Sequence, residues 1–333
     1  MRVHITNLYG IGGTTGKAQQ MVADIAKRDL HFNELGIYKY PMLRTRLDGI
    51  VASVGHGDVV IFQLPTWNCI EFDEALVAHF NGYRELKKIF FLHDVPPLMD
   101  HRALKELDRY IALYNRADLM ILPSQNMADF LYSKGLTVKK TVIQRMWDAP
   151  VDIDLGEKPP FRRRVNFAAD VIRVPRPFVQ NWDSDEVELA ITAPSGEYAW
   201  ARGKNIRCLG WFNHENLLAD ALRKSGGFGL LWHDDPVWSE YMKRNACCKL
   251  GTYLGAGLPV IVHGSVPEAE TVRRKNLGLA VDSLEEAVNQ VARVTKEQYA
   301  EMAKNADSFG SLVRNSYFSR KLLTDAIFRL LYD

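Results

Sequence analysis

An excess of charge of either sign is what this sequence most lacks. Forty-two basic residues stand against forty acidic ones, a net charge of +2 over 333 residues. Nothing global therefore draws the chain to a nucleic acid or an anionic membrane. Its densest basic run, Arg162-Arg163-Arg164, precedes an apolar stretch and reads as a solvated turn rather than a phosphate patch. Cysteine is scarce too. Cys69, Cys208, Cys247 and Cys248 form no CxxC pair, and neighbours such as Cys247 and Cys248 are poorly placed to bridge each other. No apolar run approaches the ~18 residues expected of a membrane span. The opening MRVHITNLY reads as a strand, not as a charged-then-apolar leader, so a reducing, cytoplasmic location is expected. Repeats and low-complexity tracts are missing as well. With 47% hydrophobic and 25% charged residues, the composition is that of a globular protein long enough for two domains.

What is present is alternation. Short apolar runs at 3–6, 34–38, 59–63, 89–92, 119–122 and 141–143 are separated by helix-like stretches at 17–27, 46–54, 71–80, 102–114 and 125–134. This order predicts a parallel sheet with helices on both faces, and Ser124 is placed to cap the last of those helices. The polar, proline-bearing segment 148–164 (DAPVDIDLGEKPPFRRR) reads as a linker. The pattern then restarts, with strands expected at 165–168, 187–191, 229–232 and 260–262. Helices are expected at 215–224, 245–255, 284–294, 296–307 and 317–331. The fold class is therefore α/β, with two doubly wound Rossmann-like domains facing a cleft, at residues 1–150 and 165–315. Residues 316–333 form a closing helix that packs back on the first domain. Ligands of such sheets bind beyond the carboxyl ends of the strands, so the loops there carry the interest.

The first such loop is Gly10-Ile11-Gly12-Gly13-Thr14-Thr15-Gly16-Lys17. Its glycines let backbone N–H groups approach an anion, and the helix that follows favours negative charge at its start. It is not a Walker loop, because Ile11 stands where that spacing needs glycine and Ala18 replaces the Ser/Thr. The spacing fits GxGxxxG loosely, which keeps an NADP-dependent oxidoreductase in view. However, the second strand runs into Tyr38-Lys39-Tyr40, with no acidic residue for a ribose. A second informative segment runs from Asn245 to Val262 (NACCKLGTYLGAGLPVIV): an amphipathic helix closed by Gly257, then Pro259 and a buried strand. Lys249 lies near the start of that helix, where the macrodipole disfavours a cation unless an anion such as a diphosphate is held there.

Lys249 to Val262 resembles the helix–strand signature of GT-B glycosyltransferases. GHGDVVIFQLPTWN (55–68), FLHDVPPLM (91–99), YNRADLMILPSQNM (114–127) and SYFSRKLLT (316–324) extend the likeness over nearly the whole chain. Together they resemble the bacterial glucosyltransferases that add the second sugar to O-linked GlcNAc on serine-rich repeat adhesins. The resemblance implies a UDP-sugar donor, glucose or GlcNAc, a GlcNAc-modified serine-rich protein as acceptor, no metal or other cofactor, and a homotetramer. It places Lys249 and Asn245 at the pyrophosphate, continued by Leu250 and Gly251, with Tyr241 and Trp211 near the donor and Gly13, Thr14, Thr15 and Gly16 completing the UDP site. An arginine after the first strand of the second domain should reach the phosphates. Arg173 and Arg176 compete, and Arg176 is preferred because it lies nearer the FVQNW segment. Thr252 stands where many GT-B enzymes hold the ribose with glutamate.

For the acceptor hydroxyl, Asp94 or His93, after a first-domain strand, could serve as base if the reaction inverts. A turn-capping aspartate over a packed histidine is the plainer account of the same pair. Thr66-Trp67-Asn68 could shape the acceptor pocket, although a tryptophan packed in the core is the plainer account, and His233-Asp234-Asp235 could form the loop that seats the donor sugar. The pairs Asp152/Asp154 and Asp183/Asp185 match DxD but fall in the linker and in a turn, so metal binding there is not expected. A non-catalytic sugar-nucleotide-binding subunit is the other rival, against which the intact Lys249 segment argues.

Overall fold

The protein is described by a computed structural model covering residues 1–38, 46–194, 196 and 198–333, without the side chains of Thr14 and Thr15. Lys39 and Tyr40, on which the ribose argument rested, lie outside the described residues. The chain divides into two compact units: residues 1–145 with 318–333, and residues 146–317.

Unit 1 holds strands β1 (Val3–Tyr9), β2 (Asn33–Tyr38), β3 (Val59–Leu64), β4 (Lys87–Leu92), β5 (Leu119–Leu122) and β6 (Thr141–Ile143). They form one parallel sheet in the order β2-β1-β3-β4-β5-β6. Strands β3 and β5 are buried along their length and apolar apart from Gln63, whose amide donates to the Thr6 and Gln19 carbonyls, as expected of a sheet covered on both faces. Ser124 caps its helix by accepting from the Met127 N–H at 3.0 Å. The closing helix Tyr317–Tyr332 reaches β6, with Arg329 donating to the Thr141 carbonyl and Lys140 to that of Leu330.

Unit 2 holds β7 (Arg164–Phe167), β8 (Glu188–Ile191), β9 (Ile206–Cys208), β10 (Phe228–Leu231), β11 (Val260–His263) and β12 (Gly278–Val281), parallel throughout in the order β12-β11-β10-β7-β8-β9. Neither β9 nor β12 is legible beforehand: β9 is a three-residue, largely exposed edge strand and β12 is only partly buried. The core gathers Phe167, Phe178, Trp182, Phe228 and Tyr299 around the buried strands.

Several local expectations are corrected. The first helix begins at Gly13, not Lys17, because its first turn is glycine and threonine and shows no apolar period. The stretch expected as a linker belongs to unit 2: the Ala149 N–H donates to the Val313 carbonyl, and Arg223 donates to the carbonyls of Gly156 and Glu157. Arg164 is no solvated turn residue. It is buried in β7, where its guanidinium pairs with Glu188 and donates to the Ser225 carbonyl at 2.6 Å, because a buried arginine must satisfy its donors. Among the described residues no helix is long and apolar enough to cross a membrane.

Candidate functional site

In unit 2 the chain winds from β7 outward to β9, then returns to place β10 on the other side of β7. The loops after β7 and β10 therefore diverge at their carboxyl ends, the place where doubly wound sheets take ligands. Arg176 ends the first loop. Its Nη1 faces His233 Nδ1 at 3.3 Å in the second, and its buried Nε has no hydrogen-bond partner among the described residues. The triplet His233-Asp234-Asp235 is fixed member by member. Asp234 accepts from the Phe178 N–H at 2.9 Å, tying the two loops together. Asp235 caps the helix Pro236–Met242 through the Trp238 N–H, and the His233 ring stacks on Trp238 with centroids 5.3 Å apart. Burial, then the positive charges of Arg176 and Lys249, push the His233 pKa down to about 4. The imidazole is thus neutral near pH 7 and can accept from Arg176. Burial also lowers the Arg176 pKa, against the pull of Asp234 and Asp235.

Lys249 lies in the first turn of the helix Cys248–Gly255, and among the described residues it has no ion-pair partner. That helix starts later than expected. Asn245 precedes it in a turn, where the Arg244 and Asn245 N–H groups both donate to the Tyr241 carbonyl that closes the preceding helix. Cys247 occupies the N-cap. A hydrogen bond from Cys248, the Lys249 charge and the backbone N–H groups of Lys249 and Leu250 pull its thiol down to about 6 against the effect of burial. Beyond the Cys248 contact, the Lys249 charge and the backbone N–H groups at this helix start also favour an anion.

Why Lys249 arrives here follows from packing. Tyr253 accepts from the Ala168 N–H at 2.8 Å, anchoring the helix to the end of β7. A Cβ on Gly229 of β10 would collide with the Tyr253 ring, so glycine there lets the helix lie close. Gly251 serves the same end, because its Cβ would meet the Trp147 carbonyl. Leu250 is buried and its N–H also donates to the Cys247 carbonyl at 3.1 Å; Thr252 bonds back to the Cys248 carbonyl. Tyr241 is buried, edge-on to Trp238 at 5.8 Å. The two arginines are set apart by their partners. Arg173 pairs with Asp170 and lies over the exposed Trp211 ring, while Arg176 turns toward His233.

Unit 1 has its own divergence point, between β1 and β3. The loop Gly10–Gly12 and the helix from Gly13 lie on one side of it, and the turn Pro65–Asn68 on the other. Gln19 of that helix donates to the Pro65 carbonyl at 2.9 Å. Gly16 has a packing reason of its own, since a Cβ would collide with the Ile11 carbonyl. The side chains of Thr14 and Thr15 lie outside the described residues. The His93 N–H donates to the Leu64 carbonyl at 2.9 Å, which brings His93-Asp94 beside the same turn. His93 is 3% exposed, and burial pushes its pKa down to about 3, whereas Asp94 is only half-buried. Of that pair only Asp94 is open to solvent. Asp73, which sequence reasoning missed, is 2% exposed and accepts from the Thr66 hydroxyl and N–H. In the sequence it looks like any acidic residue in a helix's first turn.

The two DxD pairs are exposed, and Asp154 closes a local turn by accepting from the Gly156 N–H. Among the described residues no group of three or more His, Cys, Asp or Glu could hold a metal ion.

Comparison with known proteins adds a lineage to this geometry. Residues 2–146 match the glucosyltransferase 3-like N-terminal domain and residues 165–326 the corresponding C-terminal domain. The chain is 43% identical over 343 residues to glucosyltransferase 3 of Streptococcus gordonii, covering 99% of this chain and all of that one. It is 39% identical to glucosyltransferase 3 of Streptococcus parasanguinis over the full length of both. Among solved structures, Anabaena HepE in complex with UDP and glucose superposes with a TM-score of 0.62 at 14% identity, over 98% of this chain and 99% of that one. Sucrose-phosphate synthase of Thermosynechococcus elongatus does so with a TM-score of 0.67 at 10% identity, over 99% of each. The fold is that of the GT-B glycosyltransferases.

Proposed function

The chain belongs to the glucosyltransferase 3-like family and is a UDP-sugar-dependent glycosyltransferase, and on that premise we propose that it moves glucose from UDP-glucose onto O-linked GlcNAc of a serine-rich glycoprotein. The NADP-dependent oxidoreductase suggested by the glycine loop gives way to that membership.

One observation carries the donor reading. Where β7 and β10 diverge, Arg176, a neutral His233, Lys249 and the start of the Cys248 helix converge, and no carboxylate pairs with Lys249 among the described residues. A diphosphate suits such a place. The Arg176 guanidinium and the Lys249 ammonium offset the charge that grows on the departing UDP, and the helix dipole adds to them. No metal is needed for that task. In unit 1, Asp94 takes the acceptor proton if the course is inverting, and Trp67 offers the acceptor sugar an aromatic face. The family resemblance further supports a cytoplasmic homotetramer as the working form.

Thermal shift against UDP, UDP-glucose, UDP-GlcNAc, NADP and NAD tests this reading. A ligand at 100 times its Kd should stabilise the fold by ~2.7 kcal/mol. Stabilisation by UDP and UDP-glucose that persists in EDTA is the expected outcome. Stabilisation only when a divalent cation is added, or by UDP-GlcNAc in preference to UDP-glucose, would overturn the metal or the sugar assignment respectively.

A further inference from the structure

The turn that follows β3 combines features that packing alone does not call for. Trp67 holds a left-handed backbone with φ of +57°, which a bulky side chain adopts only at a cost of ~1–3 kcal/mol. Its indole Nε1 is buried and has no hydrogen-bond partner among the described residues, which adds a desolvation cost. A glycine in this place would remove the strain, and a phenylalanine would remove the buried donor. Both costs are retained where the indole itself is needed.

Something must hold the turn against that strain, and the contacts show what does. Gln19 grips the Pro65 carbonyl from the first helix, and the His93 N–H grips that of Leu64. The remaining support is Asp73. One of its carboxylate oxygens receives the Thr66 hydroxyl and the other the Thr66 N–H, so it fixes the residue next to Trp67 through both side chain and backbone. Asn68 closes the turn from the far side, its amide reaching the Thr66 carbonyl and hydroxyl at 3.5 and 3.4 Å. Asp73 is buried beside Tyr110 and Tyr114 with no cation paired to it among the described residues, and this burial pushes its pKa up to about 6. A buried carboxylate without a counter-charge is a poor stabiliser of a fold. Its geometry is that of a clamp.

Resting on the reading of unit 1 as the acceptor side, we infer that Asp73 is a positioning residue, holding the Thr66-Trp67-Asn68 turn so that the Trp67 indole is presented to the acceptor sugar. It touches neither donor nor acceptor. Its effect passes through Thr66 to the aromatic ring on which a pyranose face can lie.

The test uses the full-length protein labelled with 5-fluorotryptophan, the Trp67 fluorine line being assigned by its absence in Trp67→Phe. Asp73→Asn is expected to shift or broaden the Trp67 line while the other tryptophan lines stay in place. In transfer assays with UDP-glucose and a synthetic serine peptide bearing O-linked GlcNAc, the same variant should raise the acceptor KM about tenfold, the scale of one lost buried hydrogen bond, with kcat and the Kd for UDP unchanged. Thr66→Val should reproduce both effects and Thr66→Ser should restore both, which keeps the test decisive if Asp73→Asn folds poorly. A Trp67 line indifferent to Asp73→Asn and Thr66→Val overturns the inference, as does a loss of UDP affinity equal to the loss of acceptor affinity. If the wild type does not accept the peptide, the proposed acceptor is wrong, and the fluorine line alone then decides the role of Asp73.

Discussion

The two units share a plan and line its turning point with different side chains. Both are parallel six-stranded sheets whose winding reverses once, but unit 1 reverses after two strands and unit 2 after three. At the reversal in unit 2 stand Arg176 and Lys249 around a histidine whose charge burial, and then these two cations, suppress. At the reversal in unit 1 the polar groups are buried and mostly neutral or carboxylic: Thr66, His93, Asp73 and, more openly, Asp94. Topology thus fixes where a ligand can sit, while side chains decide which ligand. A cationic reversal suits a diphosphate; one without paired cations, with an aromatic ring and an open carboxylate, suits a sugar hydroxyl.

The largest effect is expected from removing the cation. Lys249→Ala should lower kcat/KM for UDP-glucose by about 30- to 1000-fold, equivalent to ~2–4 kcal/mol, with the fold intact by thermal melting. Turnover like the wild type's would sever unit 2 from the donor. Next comes Asp94→Asn. Loss of a general base should reduce kcat by about a hundredfold or more while UDP affinity measured by calorimetry stays put. If UDP affinity falls with it, the division of labour between the units is wrong.

The sequence showed where to look more readily than what would be found. Recurring, fully buried and mostly apolar runs such as Val59–Leu64 and Leu119–Leu122 made the parallel sheets readable directly. The strand Ile206–Cys208 could not, being short and half outside the core, nor could the helix Pro236–Met242 among its aromatics. Lys249 was visible because a cation at a helix start asks for an anion. Arg176 could be preferred to Arg173 only by its nearness to the FVQNW segment, since what sets the two apart is where His233 and Asp170 fall in space. Asp73 was invisible for the same reason: its meaning lies in a contact with Thr66, seven residues away around a turn.

A smaller effect sharpens the packing side of the contrast. Gly229→Ala puts a methyl into the Tyr253 ring and should cost about 1–3 kcal/mol of stability, seen as a lower Tm. It should also weaken UDP-glucose binding, because the helix carrying Lys249 must move away from β10. The equivalent change at the exposed Gly82, where a Cβ meets nothing within 4 Å, should leave the Tm within error.

The finest distinction is in pH. Asp73 has a folded pKa raised to about 6, above its unfolded value of 3.8, so the stability it contributes is present below pH 3.8 and lost as pH rises through 6. Glu74 on its own helix and Tyr110 and Tyr114 opposite add to the shift or share the site. His233 runs the other way. Its folded pKa of about 4 lies below the ordinary 6.5, so its contribution is present above pH 6.5 and lost as pH falls toward 4. Melting curves of Asp73→Asn and His233→Gln, each set against the wild type between pH 4 and 7, should therefore diverge in opposite senses. Parallel curves would mean that the two reversals are electrostatically alike.

The central claim, that unit 2 holds the diphosphate through Arg176 and Lys249 without a metal, is tested most directly by calorimetric titration of UDP in EDTA. The account predicts binding by the wild type and at least about tenfold weaker binding by Arg176→Ala and by Lys249→Ala, as for loss of a charged hydrogen bond. Equal affinity in all three proteins, or binding that EDTA abolishes, would contradict it.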